Sequence, residues 1–509
     1  MMRQTTVGGN TLLTLITISS GSCYLLFGYD QGVLGGLVSQ PSFLNAIGNP
    51  NSTYLGTIVA LYNIGCLVGC LISAVYGDRL GRKRSIIWGC LIMVVGAVIQ
   101  ASTYGAGQLI AGRLISGVGN GMNTSTIPVY VSETAQSNRR GRAIAIQLSV
   151  VIFGTVIAYW LDYGTIKNLT GEIIWRFPIA FQIVFALITL FSMPFLPDTP
   201  RWLYAHGRQA EALDVLSRLM SCPVDDPQVL RIEEEMKEAL NIEKETTSFK
   251  WMEIIHDKSD LKNTRRLVLC FMIQLMQQFT GINVIAFYGK STCVTIVLES
   301  NLGYSRSSSS FIAGFIQIAF WFGTFPPMIM VDKYGRRPVL LWGSVALTTT
   351  MVIFTIGLAI NTTASNQLAL AMLFCYEISF GMSWDSLPWL IAPEITPLHL
   401  RHVGAAVGPF SEWLWTFVIA QITPVAIANS GWKFYILFCI MNALCFPFVY
   451  FFIPETKGKS LEEIDYIFAS AEAKERLHRQ FGVATLTPNT NSEQASKVDD
   501  IEHVEMGGS

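Results

Sequence analysis

Long apolar segments alternate with short polar loops along most of this chain. A helix needs about 20 mostly apolar residues to cross the hydrocarbon core of a bilayer. Twelve segments meet that requirement, at residues 12–34, 55–76, 85–101, 107–127, 143–163, 173–195, 267–289, 311–331, 339–360, 368–391, 405–427 and 432–453. The pattern therefore predicts an all-α membrane protein with twelve transmembrane helices.

Two hydrophilic regions interrupt this pattern. Residues 201–266 mix charges of both signs at helical spacing, and the polar tail is expected to be disordered beyond Phe468. We therefore expect an N-terminal six-helix half over residues 1–200 and a cytosolic helical linker over 201–266. A C-terminal six-helix half over 267–455 and a mostly disordered cytosolic tail over 456–509 complete the predicted organisation.

Composition agrees with a membrane protein and disfavours other classes. Only 14% of the 509 residues are charged, against about 25% in soluble domains. The net charge of -1 gives no sign of a nucleic-acid partner. The ten cysteines form no C-x-x-C pair, and no catalytic triad order or phosphate loop stands out. We expect no enzyme activity, no catalytic or metal site and no cofactor.

The direction of the spans follows from the basic residues in the short loops, which favour the cytosolic side. Loops after even-numbered spans contain Arg79, Arg82, Lys83, Arg84, Arg139, Arg140, Arg142, Lys333, Arg336, Arg337 and Arg401. The opposite loops contain only Lys167 and Arg306, with Lys433 at an edge. Both termini are therefore predicted to be cytosolic.

Possible glycosylation sites give an independent check on this topology. Asn-x-Ser/Thr sequons at Asn51, Asn168 and Asn361 all fall in loops that the topology places outside the cell. A fourth match, at Asn123, lies within a predicted span and should not be modified. We predict glycosylation at the first three sites.

The two halves of the chain repeat one another. Asp332 follows Asp78 by 254 residues, in two similar loops, and Glu394 follows Glu133 by 261. The PDTPR and PETKG motifs, which end the sixth and twelfth spans, are 257 residues apart. Three nearly equal offsets indicate a duplication. Parallel repeats of this kind place a substrate site near the midplane, between the halves.

Eight motifs then identify a family that the chain resembles. They are FGYDQG (27–32), GDRLGRK (77–83), GRLISGVGNG (112–121), PVYVSE (128–133), PDTPR (197–201), QQFTGIN (277–283), DKYGRR (332–337) and PETKGKSLEEI (454–464). Together they resemble the sugar porter branch of the major facilitator superfamily, in its fungal sugar and polyol subset. The resemblance implies transport of a sugar or polyol by alternating access, with proton symport favoured, in the plasma membrane. The expected partners are that solute, a proton and the lipid bilayer.

Several other functions stay open at this point. They are a facilitative sugar transporter without proton coupling, a carrier of a secondary metabolite or an organic acid, and a nutrient sensor.

The resemblance also implies a substrate site. Gln277, Gln278 and Asn283 match the seventh-span amides that contact sugar hydroxyls in relatives, and Trp389 matches an aromatic residue that faces the sugar. An amide both donates and accepts hydrogen bonds, so it pairs with a hydroxyl in either direction. The competing interpretation is that these polar residues hold helices together.

Some positions depart from the family pattern. Relatives often carry a fifth-span glutamine where this chain has Leu148, so Gln147 is the substitute candidate. Glu412 replaces an amide beside the eleventh-span tryptophan, and WDSLPW (384–389) replaces the usual W-G-P-x-x-W. Lys290 adds a charge in the seventh span. We expect Glu412 to line the cavity and alter substrate choice.

Asp30 and Arg113 are ionisable residues inside predicted spans, where an unpaired charge is costly and usually functional. In proton-coupled relatives the matching aspartate and arginine form the coupling pair. We therefore expect Asp30 and Arg113 to pair and to break apart on protonation of Asp30. The alternative is a static pair that stabilises helix packing.

Charged residues at the cytosolic helix ends form a third group. The resemblance implies that they build charge networks that hold the cytosolic side shut in the outward-facing state. This predicted gate consists of Asp78, Arg82, Glu133, Arg140, Asp332, Arg336, Glu394, Arg401 and Glu455. The same residues also serve as topology determinants.

Overall fold

The computed structural model describes residues 9–38, 40–135, 140–245, 262–286, 303–396, 401–458, 464 and 467–468. Its regular structure is helical throughout, and these residues contain no strand. Ten helical runs among them are long and apolar enough to cross a membrane. The prediction of an all-α membrane protein is confirmed.

Six long helices and one short one form the N-terminal half. They are α1 (Gly9–Leu37), α2 (Pro41–Ala46), α3 (Ser52–Leu80), α4 (Arg82–Ala101), α5 (Ala106–Thr134), α6 (Arg140–Asn168) and α7 (Ile173–Ser192). All except α2 correspond to predicted spans. The helix α2 lies between the first two spans, in the loop that precedes Asn51.

Three polar helices follow, as the charge-mixed sequence predicted. They are α8 (Pro200–Ala205), α9 (Gln209–Met220) and α10 (Pro227–Glu245). Thr199 caps α8, because its side chain accepts a hydrogen bond from the Trp202 N–H. The buried face of α9 packs apolar residues such as Val215 and Leu219 against the neighbouring elements.

The described residues of the C-terminal half form nine helices, for six predicted spans. They are α11 (Asn263–Gln278), α12 (Ile282–Ala286), α13 (Arg306–Gly323), α14 (Pro327–Tyr334), α15 (Arg336–Ile360), α16 (Thr363–Met382), α17 (Leu387–Ile395), α18 (Arg401–Ser430) and α19 (Tyr435–Phe452). Spans seven, eight and ten are each broken into two helices. The eighth breaks at Pro326 and Pro327, because proline cannot donate the helical hydrogen bond.

Two predicted spans, the fourth and the tenth, are not among the ten apolar runs. The fourth is α5, which carries Arg113 and many small polar residues and is buried by its neighbours along most of its length. The tenth is α16 with α17, which carries Glu377 and the break before Leu387. Polar residues are tolerated in spans that face the protein interior instead of lipid.

Glycines let α5 approach α3 closely. A methyl group placed on Gly121 would overlap the Cys66 carbonyl oxygen, and one placed on Gly117 would overlap the Tyr62 carbonyl oxygen. The GVGNG sequence is therefore a helix-packing surface, since only glycine permits this separation of the two backbones.

We expect the Gly121→Ala variant to give a much lower yield of folded protein than the wild type. The added methyl group must push two backbones apart, and packed interiors do not absorb such a change. Gly164→Ala is the matched control, because a methyl group there meets no atom within 4 Å. Fluorescence-detected size-exclusion chromatography of tagged protein measures the outcome. Equal monodisperse yield for both variants would contradict the close packing.

The two halves face each other through α3 with α18 and through α6 with α13 and α14. Near the predicted external end, Gln421 donates a hydrogen bond to Thr57 at 2.9 Å. Closer to the middle, the Thr324 hydroxyl donates to Ser149 at 2.7 Å. The space that these contacts leave between the halves holds the candidate site.

Candidate functional site

A cavity lies between the two halves, about midway along the helices. Helices α1 and α6 line it from the N-terminal half, and α11, α12, α13, α16, α17 and α18 line it from the C-terminal half. Its lining residues are Phe27, Gln31, Leu148, Val151, Ile152, Thr155, Gln277, Gln278, Ile282, Asn283, Gln317, Phe320, Phe380, Asp385, Trp389, Glu412, Trp413 and Thr416. The cavity lies where the internal repeat predicts a substrate site.

Two helix breaks meet at one wall of the cavity. The chain turns between α11 and α12 through Gly281, whose φ of 100° favours glycine. The Gln277 amide nitrogen donates to the free carbonyls of the second break, at 2.7 Å to Trp384 O and 3.0 Å to Asp385 O. Because both protons of the amide are used, Gln277 Oε1 is left as an acceptor, and it has no partner among the described residues.

The second and third amides belong to a small network. The Asn283 amide donates to Gln278 Oε1 and, at 3.4 Å, to the Thr416 hydroxyl. That hydroxyl also donates to Gln278 Oε1 at 3.0 Å. All three side chains line the cavity. The network fixes the orientation of Gln278 and Asn283 before any solute is present.

Aromatic rings supply the rest of the wall. Trp389 is 7% exposed and lines the cavity, as expected. Trp413 packs edge-on against Phe27 of the opposite half, with ring centroids 5.4 Å apart. Its indole nitrogen also donates to the Thr124 hydroxyl at 3.4 Å. A flat ring in such a wall suits the apolar face of a sugar ring or of a carbon chain.

The structure places Gln147 outside the cavity lining. Its side chain donates to the Ser20 hydroxyl at 3.1 Å, and the adjacent Leu148 lines the cavity instead. Successive helix positions differ by about 100° in direction, so a shift of one residue moves a side chain to another face.

Two carboxyl groups face the cavity. Glu412 lines it, as the sequence indicated, and so does Asp385, which the sequence analysis did not select. A third carboxyl, Glu377 of α16, is fully buried close by. The signal for Asp385 was present in the sequence, as an acidic residue where the W-G-P pattern has glycine. Gln317 of the eighth span also lines the cavity, and no motif indicated it.

Asp30 and Arg113 lie next to each other in the N-terminal half. Their nearest charged atoms are 3.4 Å apart, and both side chains are almost fully buried. The guanidinium also lies 4.2 Å from the centre of the Tyr62 ring and donates to the Val59 carbonyl at 3.4 Å. These contacts stabilise the charge of Arg113 on several sides and pair it with Asp30.

The predicted gate residues form one charge network at the base of each half. In the N-terminal half, Arg82 lies 3.2 Å from Glu133 and 3.7 Å from Asp78. Glu133 also accepts a hydrogen bond from the Thr199 hydroxyl at 2.6 Å. Asp198 accepts from the backbone N–H of Arg82 at 3.2 Å.

The C-terminal half repeats this arrangement. Arg336 lies 3.0 Å from Glu394 and 3.7 Å from Asp332. Glu394 accepts from the Thr456 hydroxyl at 2.7 Å, and Glu455 accepts from the Arg336 N–H at 3.0 Å. Each described network therefore connects helices of the same half.

The side chains of Arg140 and Arg401 lie outside the described residues, as does Lys290. One described approach brings the N-terminal half to the C-terminal charge network. A methyl group placed on Gly141 of α6 would lie 3.2 Å from the Asp332 carboxylate. The N-terminal end of α6 therefore meets the C-terminal network.

The three predicted glycosylation sites are exposed, each at the end of a helix. Asn51 caps α3, since its side chain accepts from the Tyr54 N–H at 2.8 Å. Asn168 ends α6, and Asn361 follows α15 with a φ of 51°. Asn123 is 2% exposed within α5, where no glycan fits.

Two repeated helical halves, with helix breaks in the C-terminal half and a central cavity lined by amides, carboxyls and aromatic rings, define a membrane carrier with a duplicated bundle. The family model described as "Sugar (and other) transporter" matches residues 14–468. The chain belongs to that family and is a multi-pass membrane protein.

Relatives and a solved structure agree with this assignment. The chain is 36% identical to the MFS-type transporter oryC of Aspergillus oryzae, over 91% of this chain and 87% of the relative. It is 35% identical to the sugar transporter STL1 of Saccharomyces cerevisiae, over 91% of this chain and 82% of the relative. A structure of the proton:xylose symporter XylE superimposes with a TM-score of 0.79, at 24% identity, over 90% of this chain and 100% of XylE. XylE, which is from E. coli, has the same fold.

Proposed function

We propose that this protein carries a small polyhydroxylated solute, a sugar or a polyol, across the plasma membrane by alternating access with proton symport. The hydrogen-bonding character of the cavity is the observation that carries the proposal. Gln277, Gln317 and Glu412 line it, and each has a buried oxygen without a partner among the described residues. Hydroxyl groups can donate to all of these acceptors and can accept from the Gln31 amide nitrogen, which also lacks a described partner.

The charge of the cavity separates this proposal from an organic-acid carrier. Asp385 and Glu412 line the cavity, and its described lining contains no arginine, lysine or histidine. An anionic solute would meet two acidic groups and lose its water without a basic partner, which is costly. A neutral polyol avoids that cost. The relatives STL1, a sugar transporter, and XylE, a proton:xylose symporter, support the same solute class and coupling.

Uptake in a yeast strain that lacks its own sugar carriers tests the proposal. The panel contains radiolabelled hexoses, pentoses, disaccharides and polyols such as glycerol. We expect saturable uptake of at least one of them above an empty-vector control. Protein that reaches the cell surface without raising uptake of any panel solute would contradict the proposed solute class. A tag inserted after Asn168, in the predicted external loop, allows surface labelling of intact cells as the expression control.

Replacing the amides should weaken solute binding. We expect Gln278→Ala and Asn283→Ala each to raise the Michaelis constant by about two- to tenfold, since one hydrogen bond to an uncharged hydroxyl contributes about 0.5–1.5 kcal/mol. The two effects should not add in the double variant, because the side chains are hydrogen-bonded to each other. Initial rates over a range of solute concentrations measure both effects.

Gln108→Ala is the matched control for these variants. Its amide donates to the Ile99 and Ser102 carbonyls at the C-terminal end of α4, away from the cavity. It should leave the Michaelis constant unchanged. If Gln278→Ala and Asn283→Ala also leave it unchanged at normal surface expression, these amides only hold helices together.

A further inference from the structure

Three carboxyl groups, two buried and one partly buried, lie in the C-terminal half, and the Asp30–Arg113 pair does not involve them. Asp385 is 8% exposed, lines the cavity and has an oxygen without a hydrogen-bond partner among the described residues. Glu412 is partly buried and also lines the cavity, and its Oε2 atom likewise has no such partner. Both carboxyl oxygens of Glu377 lack such partners, and that side chain is completely buried.

Asp385 connects the three groups. Asp385 interacts electrostatically with both Glu377 and Glu412. Among the described residues of neighbouring helices, the titratable groups that interact with this cluster are Tyr24 on α1, Cys70 on α3 and Tyr159 on α6. None of them is a base, and Tyr376 precedes Glu377 on the same helix.

Three ionised carboxylates in this position would repel one another and would have lost their water. The free-energy cost of burying even one unpaired ionised group is so large that such groups take up a proton instead. Asp30 differs, because the Arg113 guanidinium compensates its charge at 3.4 Å. The described cavity lining around Asp385 and Glu412 contains no basic residue, so a bound proton is the positive charge that can compensate theirs.

We propose that Asp385 and Glu412, with Glu377 behind Asp385, form a second proton-binding site that opens into the solute cavity. A proton that enters with the solute converts one carboxylate to a carboxylic acid, whose O–H then donates to the neighbouring carboxylate or to a solute hydroxyl. The proton leaves with the solute when the cavity opens to the other side. This inference rests on the proposed transport function, because only a carrier would exchange the proton in each cycle.

Infrared spectroscopy tests the site without any solute. In purified wild-type protein at neutral pH, we expect a protonated carboxylic acid C=O band that shifts in D2O and disappears at alkaline pH. The double variant Asp385→Asn with Glu412→Gln should lose the part of that band that these two groups contribute, while Glu377 keeps its own contribution. Asp225→Asn is the matched control, because Asp225 lies exposed in the loop between α9 and α10 and its removal should leave the band unchanged.

The possible outcomes all bear on the proposal. A double variant that keeps the full band would overturn it, because the band would then belong to other groups. Absence of the band in the wild type would overturn it too, since Asp385 and Glu412 would be ionised beside some cation. If the double variant does not fold, the single variants Asp385→Asn and Glu412→Gln test the proposal instead. At least one of them should reduce the intensity of the C=O band, and an unchanged band in both would overturn the proposal. Because no solute is involved, failure of the uptake panel leaves this result interpretable.

Discussion

Asp30→Asn is expected to abolish solute accumulation while it leaves downhill exchange in place. The neutral amide imitates the protonated aspartic acid, so the Arg113 guanidinium is no longer held by a charge at 3.4 Å. Without protonation and deprotonation of Asp30, the rearrangement of the helices is no longer coupled to a proton, so the membrane potential cannot drive the solute inward even though Asp385 and Glu412 can still bind one. One charge moved across 100 mV contributes about 2.3 kcal/mol, which corresponds to roughly fiftyfold accumulation. The variant should lose that gain completely.

Radiolabelled solute in energised cells measures the loss, with and without an uncoupler. Wild-type uptake should exceed equilibrium, increase at acidic external pH and collapse with the uncoupler. Asp225→Asn, which removes an exposed carboxylate, should behave as the wild type. If solute accumulation by the wild type never exceeds equilibrium and depends neither on pH nor on the uncoupler, the protein is a facilitator. Asp30 and Arg113 would then be a structural pair.

The helices were largely predictable because membrane crossing requires long apolar segments. Each of the twelve predicted spans has a helical counterpart, and the all-α prediction is confirmed. The breaks in spans seven, eight and ten were not predicted, although Gly281 and the Pro326–Pro327 pair occur at two of them. A hydropathy pattern averages over about 20 residues and does not register an interruption of three or four.

The residues of the candidate site were predictable where a motif contained them. They were not predictable where the direction of a side chain from its helix decides whether it faces the cavity. The amides, Trp389 and Glu412 were selected from motifs, and the structure places all of them in the cavity lining. Gln147 was selected as well but points to Ser20. In a membrane bundle both lipid and core are apolar, so the sequence pattern gives little information about which face of a helix is inward.

Asp385 shows a second limit of the sequence. Its position follows a helix break, and the break directs the side chain into the cavity while the Asp385 carbonyl accepts from Gln277. Neither fact can be obtained from spacing. An acidic residue in a span is a functional candidate by itself, and that signal applied equally to Asp385 and to Glu377.

The described charge networks lie at the predicted cytosolic ends of the helices, and the gate role of these residues stays a prediction. In the described residues each network joins helices of one half, so its first effect is to hold that half together as a rigid unit. The correspondence is close, since Arg82, Glu133 and Thr199 match Arg336, Glu394 and Thr456 in role. A rigid half is what alternating access needs, because the two halves move against each other around the cavity.

Separating the Arg336–Glu394 pair should therefore destabilise the whole C-terminal half. Removing one partner of a buried ion pair leaves an uncompensated charge and costs about 3–5 kcal/mol. The side chains of Arg336 and Glu394 are only 9% and 14% exposed, so Arg336→Ala and Glu394→Ala should each lower the melting temperature markedly. The double variant should recover part of the loss, because neither charge is then left alone.

The exposed Arg208–Glu211 pair of the linker is the matched control, with side chains 44% and 42% exposed. A double-mutant cycle there should give an interaction energy of only about 0–1 kcal/mol, as solvent screens the charges. Thermal unfolding of the detergent-purified protein measures both cycles under one salt condition. Equal interaction energies at the two pairs would show that the Arg336 network is too loose to hold the half rigid. A clearly larger energy at Arg336–Glu394 would support a bundle that moves as one body.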